Sequence, residues 1–170
     1  SGKTLLTKII KGLIKPESGK LSIKLNGMTP NTGYLSQNII FLRRNVFNNL
    51  AYPLEIKGFN KKMINKRIEF LLKYFGFASK EKISARNLSE GNKQYLSFIR
   101  TLVSKPNLLI LDEPSSNLDM QFTKKVENFL IKERNRIKII MVTHDLFQAK
   151  RLADEILFIN DGEIIEVSKK

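Results

Sequence analysis

An α/β fold is predicted, a mostly parallel sheet flanked by helices with an inserted helical subdomain, and three observations predict it. Residues 108–111 (Leu108, Leu109, Ile110, Leu111) form a short apolar run that reads as a strand buried on both faces. A second such run follows at residues 137–143, after a helical stretch that extends from Asp119 to about Glu133, so strand and helix alternate as parallel sheets require. Between them and the N-terminal part, Met63, Ile64, Arg67, Ile68, Leu71, Leu72 and Phe75 recur at steps of three and four, which is helix without intervening strand. That lobe is placed at roughly residues 41–104, inside a single domain that takes in residues 1–170.

Each element has its own local cause. The chain opens on Ser1-Gly2-Lys3-Thr4, and Leu5, Leu6, Ile9, Ile10 and Leu13 then make an apolar stripe at helical spacing that ends near Gly12 and Pro16. Residues 20–25 and 33–36 are strand-like pieces around an Asn26-Gly27 turn, and Gln37 follows the second piece directly. From residue 41 to residue 77 the pattern is helical, broken at Gly58 and Gly76 into two or more helices. Ser89 is an N-cap for a helix through residues 93–104, with Glu90 at the positive end of its dipole. The strand at residues 137–143 ends at His144, residues 146–152 form a short helix, and residues 155–160 and 163–167 close as a hairpin through Asp161-Gly162.

Composition removes whole classes of function. The 170 residues suffice for one well-buried domain, and 42% hydrophobic with 27% charged residues is ordinary globular usage, which excludes disorder. There is no apolar run of about 18 residues and no signal-peptide pattern, so the chain is not expected to span a membrane or to be exported. With no cysteine, disulfide and thiolate-metal frameworks are out. The net charge of +14 suits a polyanionic partner such as a nucleotide, anionic lipid or nucleic acid. Lys61, Lys62, Lys66 and Arg67 fall on the solvent side of a helix and the other basic residues scatter without aromatic interleaving, so a solvated surface is expected rather than a nucleic-acid patch.

Chemistry is expected where the first buried strand ends. Asp112 and Glu113 sit at its carboxyl end, where open α/β sheets bind ligands, and there one carboxylate can hold Mg²⁺ while its neighbour positions a water. His144, the only histidine, ends the next strand and falls beside them. Gly2, Lys3 and Thr4 match the last three positions of a phosphate-binding loop, in which amides cradle phosphates, the lysine reaches the β- and γ-phosphates and the hydroxyl ligates Mg²⁺. Alone, each motif also reads as an ordinary feature: a helix start, a capped turn, a structural histidine.

Taken in order, Gly2-Lys3-Thr4, Gln37, LSEGN at residues 88–92, LLILDEP at 108–114, SNLD at 116–119 and THD at 143–145 resemble the nucleotide-binding subunit of an ABC transporter, over essentially the whole chain. The resemblance implies a P-loop NTPase-type sheet, ATP and Mg²⁺ as cofactors, and ATP hydrolysis that drives transport. It implies that Ser1, Gly2, Lys3 and Thr4 hold the phosphates, that Thr4, Gln37 and Asp112 serve the metal, that Glu113 orients or deprotonates the attacking water, and that His144 contacts the γ-phosphate. Ser89 and Gly91 would close on ATP held by a second ABC ATPase subunit, with Asp119 linking the two sites, so a dimer is implied. Further implied partners are membrane permease subunits, contacted through Gln37 and the helical lobe, and an extracytoplasmic substrate-binding protein, with no nucleic acid. The implied location is the cytoplasmic face of the cell membrane.

The sequence departs from the family pattern at Glu90, where glycine is usual, at Asn92, where glutamine is usual, and at Tyr95, where arginine is common. A carboxylate beside amides that meet a triphosphate is unfavourable unless it points away. The family's two strands and adenine-stacking aromatic ahead of the phosphate loop do not match anything in these residues, and the chain is expected to be part of a longer protein. Residues 41–58 and 141–164 resemble the ATPase subunits of oxyanion importers of the tungstate type. The competing readings are a soluble ABC-type ATPase of DNA repair or translation and an inactive ABC ATPase fragment.

Overall fold

The structure, a computed structural model, describes residues 2–169 and divides them into two compact units. The first takes in residues up to Gln37, residues 107–114 and residues from Glu127 on; the second comprises residues 38–106 and 115–126.

The first unit is built on three parallel strands in the order β1 (Thr32–Leu35), β2 (Leu108–Asp112), β3 (Lys138–Val142). Every residue of β2 is buried, as its unbroken apolar run predicts for a central strand. Helix α1 (Lys3–Lys11) packs against β2 and ends at Gly12, whose φ of 78° lets its amide return to the Ile9 and Lys8 carbonyls. The register aligns Leu35 with Leu111 and Leu111 with Met141, so the three strands leave the sheet at one level.

β3 differs from expectation. Ile139, Ile140, Met141 and Val142 read as a strand covered on both faces, but β3 is the sheet's edge and these residues are only half-buried. They line a groove of about 420 Å³ together with Leu6, Thr7 and Ile10 of α1. Residues 20–25 also differ, because only an isolated bridge between Leu25 and Met28 forms across the Asn26-Gly27 turn. These residues are largely exposed and have no partner strand among the described residues, and alternation without a ladder does not make a strand. After β3 come α6 (Leu146–Leu152) and the antiparallel pair β4 (Glu155–Asn160) and β5 (Glu163–Lys169). Positive φ at both Asp161 and Gly162 gives the tight turn the sequence predicts there.

The second unit is helical: α2 (Val46–Ile56), α3 (Lys61–Tyr74), α4 (Glu90–Leu102) and the start of α5 (Met120–Glu133). Asn45 and Asn60 cap α2 and α3 by accepting the Asn48 and Met63 amides. Gly58 and Gly76 break the helices with φ of 75° and 67°. The core is aromatic: Phe75 meets both Tyr95 and Phe98 edge-on, Phe77 meets Tyr95 edge-on, and Tyr95 also stacks on Phe122 at 4.2 Å.

One surface expectation is overturned. Lys61, Lys62 and Lys66 are exposed, but Arg67 turns inward, donating from Nη2 to the Leu102 carbonyl at 2.6 Å and from Nε to Val103 at 3.1 Å. Carbonyls at a helix C-terminus lack intrahelical partners, and a guanidinium fork satisfies two at once. Among the described residues no helix is long and apolar enough to cross a membrane.

Candidate nucleotide site

The shared strand ends build the first half of the site. Because β2 and β3 are paired with Asp112 opposite Val142, the residues that follow them emerge side by side. The Glu113 amide donates to the Val142 carbonyl at 2.9 Å, and the backbone then turns into the left-handed region at Glu113, with φ of 53°. That conformation is uncommon for a residue with a side chain and is found where function constrains the chain. It brings Glu113 Oε2 to 3.0 Å from His144 Nδ1, so the two residues proposed from sequence for chemistry are in direct contact. Gln37, two residues beyond Leu35 on β1, leaves the sheet at the level of Glu113, two beyond Leu111.

Asp112 is 1% exposed and neither of its carboxylate oxygens has a hydrogen-bond partner. A buried carboxylate in that condition fits a role opposite a cation or cation-bound water, since burying its charge alone is costly. Among the described residues no three His, Cys, Asp or Glu side chains gather into a metal site. A lone carboxylate suits Mg²⁺ shared with phosphate better than a metal held by protein alone. Lys3 and Thr4 begin α1 behind Gly2, whose φ of 75° sets the entry into the helix, and the first turn carries no acidic residue to repel an anion. Ser1 lies outside the described residues.

His144 is held from the side of α6. Asp145 caps that helix by accepting the Gln148 amide at 3.0 Å, and Gln148 and Arg151 both donate to Glu127 near the middle of α5. Burial pushes the Glu127 carboxyl upward, but the hydrogen bonds from Arg151 and Gln148 and the Arg151 charge outweigh it and hold it below its ordinary value. Nothing in the sequence singles out Glu127; its partners lie 21 and 24 positions away.

The remaining residues assigned from sequence, Ser89, Gly91 and Asp119, lie in the second unit. Ser89 caps α4, with its Oγ accepting the Asn92 amide at 3.4 Å and the Asn92 side-chain Nδ2 at 2.7 Å. A Cβ on Gly91 would stand 2.7 Å from the Asn117 carbonyl oxygen, so only glycine fits. Asp119 Oδ1 accepts the Phe122 amide at 2.8 Å, which caps α5. Glu90 is drawn to Lys93 Nζ at 2.7 Å, so its charge is neutralised locally. Tyr95 is fully buried, donates to the Phe75 carbonyl and has its pKa raised by that burial, so it serves the aromatic core.

The chain is similar to known proteins over nearly its whole length. The family model described as ABC transporter matches residues 1–116. The chain is 32% identical over its whole length to the molybdate/tungstate import ATP-binding protein of Methanocaldococcus jannaschii, spanning 59% of that protein. It is 31% identical to a methionine import ATP-binding protein of Carboxydothermus hydrogenoformans over 98% of its own length and 53% of the relative's. Among solved structures, a dimeric ATP-binding cassette in a post-hydrolysis state, bound to ADP and phosphate, aligns with 99% of the chain and 80% of its own at a TM-score of 0.85 and 26% identity. The chain thus spans between half and three-fifths of the length of these two curated relatives, and on the family match, the fold and the ordered motifs it belongs to the ABC transporter family, as its ATP-binding domain.

Proposed function

We propose that this chain binds and hydrolyses ATP to drive transport through a partner membrane permease. The observation that carries the reading is the Glu113–His144 contact at the mouth of β2, next to the unpartnered buried carboxylate of Asp112. In this reading Gly2, Lys3 and Thr4 hold the phosphates, with Ser1 completing that stretch, and the start of α1 supplies amides to them. Glu113 orients and accepts a proton from the attacking water, and His144, held at Nδ1 by Glu113, offers its other nitrogen to the γ-phosphate. Asp112, Thr4 and Gln37 are the residues that would hold Mg²⁺, which when bound neutralises charge on the phosphate oxygens.

Ser89 and Gly91 act across a dimer on the partner's ATP, with Asp119 in the connection between sites. The dimeric cassette among the structural relatives supports that assembly. The chain works at the cytoplasmic face of the membrane as one domain, with the helical subdomain of residues 41–104 facing the permease. An extracytoplasmic binding protein delivers the cargo, and the cargo is an oxyanion of the tungstate type. The molybdate/tungstate import relative supports that cargo and the methionine import relative competes with it.

The test is phosphate release by the full-length protein. Glu113→Gln is expected to lower turnover by about 10²–10⁴-fold, the usual worth of a positioned base, while ATP still binds. Unchanged turnover would overturn the assignment of Glu113. In the assembled transporter, tungstate and not methionine is expected to stimulate hydrolysis.

A further inference from the structure

Helix α6 is short, and its apolar packing is confined to Ala149 and Leu152, which line the groove with β3 and α1 and leave its start to polar contacts. Its seven residues are too few to be stable alone, and its two large apolar side chains at the N-terminus, Leu146 and Phe147, are 55% and 76% exposed. Its one buried residue is a polar one, Gln148, which is 1% exposed. Gln148 Nε2 donates to Glu127 Oε1 at 3.0 Å, and Arg151 donates to both Glu127 oxygens, at 2.7 Å and 3.3 Å. The same Gln148 supplies the amide that Asp145 caps, and Asp145 directly follows His144. The His144 side chain is 85% exposed, and its Nδ1 lies 3.0 Å from Glu113 Oε2. The imidazole therefore takes its direction from the backbone at the start of α6, and the start of α6 takes its position from Glu127.

We propose that Glu127 is a positioning residue for ATP hydrolysis: by holding Gln148 and Arg151 it sets the start of α6, and through it the contact of His144 with Glu113. The inference rests on the assignment of Glu113 and His144 to the reaction. Glu127 acts by geometry, through Gln148 and Arg151. A loosened start of α6 lets His144 leave Glu113 while Ala149 and Leu152 keep the rest of the helix in the groove it shares with α1, so turnover falls while nucleotide affinity does not. A misplacement of a reacting group by about 1 Å is enough to cost on the order of 10²-fold in rate.

The chain has one histidine, His144, whose imidazole resonances are identified in the full-length protein by their loss in a His144→Ala variant. In the full-length protein, Glu127→Ala is expected to lower kcat by about tenfold or more with KM for ATP changed less than about threefold, the pattern of an interaction made in the transition state. The ¹H–¹⁵N imidazole spectrum of the same variant is expected to lose the single Nδ1-protonated form that bonding to Glu113 selects. Glu127→Gln keeps the carbonyl acceptor for Gln148 and is expected to restore most of both signals. Gln148→Leu, which leaves Glu127 paired to Arg151, is the second variant and is expected to reproduce the alanine phenotype at lower amplitude. Variants with wild-type kcat and an unchanged imidazole spectrum but a lower Tm would overturn the proposal, leaving Glu127 a purely structural residue. If Glu113→Gln hydrolyses ATP normally, the assignment of the site fails instead; the imidazole spectrum still decides whether Glu127 sets His144.

Discussion

Gly91 at the start of α4 lies so close to Asn117 that a methyl group added there would stand 2.7 Å from the Asn117 carbonyl oxygen. Asn117 itself is left-handed, with φ of 63°, and leads into the cap that Asp119 provides for α5. Two motifs that are distant in sequence, LSEGN and SNLD, are thus fitted backbone to backbone. Gly91→Ala is expected to destabilise the protein by about 1–3 kcal/mol through overpacking against atoms that do not yield, read as a lowered urea midpoint. An unchanged midpoint would show that the Asn117 loop gives way.

Glu90 occupies the position where the family usually has glycine, but its carboxylate is engaged by Lys93 three residues on. Restoring glycine removes that exposed pair, worth a few tenths of a kcal/mol, and places glycine in the first turn of a helix, at a cost of up to about 1 kcal/mol. Glu90→Gly is expected to shift stability by about that amount and to change ATP turnover less than about threefold, because Ser89 and Gly91 remain in place. A large rise in phosphate release would mean that Glu90 restrains the site.

Arg67 carries a charge that sequence reading assigns to the surface, whereas its guanidinium closes the C-terminal end of α4. Arg67→Ala is expected to destabilise by about 1–3 kcal/mol, through loss of two hydrogen bonds from a charged donor, although the Leu102 carbonyl keeps the Lys105 amide. Arg67→Lys is expected to recover little, since one ammonium does not reproduce a two-pronged fork. Chemical denaturation of the three proteins makes the comparison; full rescue by lysine would reduce the role to charge alone.

The pH dependence of stability follows from Glu127. Its folded pKa is depressed relative to the ordinary carboxyl value of 4.5, so the stability it contributes is fully present above that value and is lost as pH falls through the folded pKa. Protonation removes the charge that Arg151 faces. Thermal melts at pH 7 and near pH 3.5 are expected to show a larger acid loss for the native protein than for Glu127→Gln, which has no such proton to bind. Equal losses would place the acid sensitivity in other groups.

Local rules made much of the molecule legible. Ser89 as a cap, the glycine breaks at Gly58 and Gly76, the buried run of β2 and the Asp161-Gly162 turn each depend on residues within a few positions of one another. Short-range signals failed where an element needs a neighbour. Among the described residues, residues 20–25 alternate like a strand but have no partner strand, and Ile139–Val142 looks like a strand covered on both faces but forms an edge.

The sequence by itself determined the alternation of strand and helix, the inserted helices, and an ordered set of motifs specific enough to mark the ABC transporter family. Periodicity and caps are written in neighbouring residues, so they need no knowledge of the fold. Tertiary structure alone decided that Glu113 meets His144, that Asp112 is buried without a partner, that Arg67 turns inward and that Glu127 holds α6. Each of these depends on strand register or helix packing between residues tens of positions apart, and hydrogen bonds over such separations leave no pattern in a single sequence.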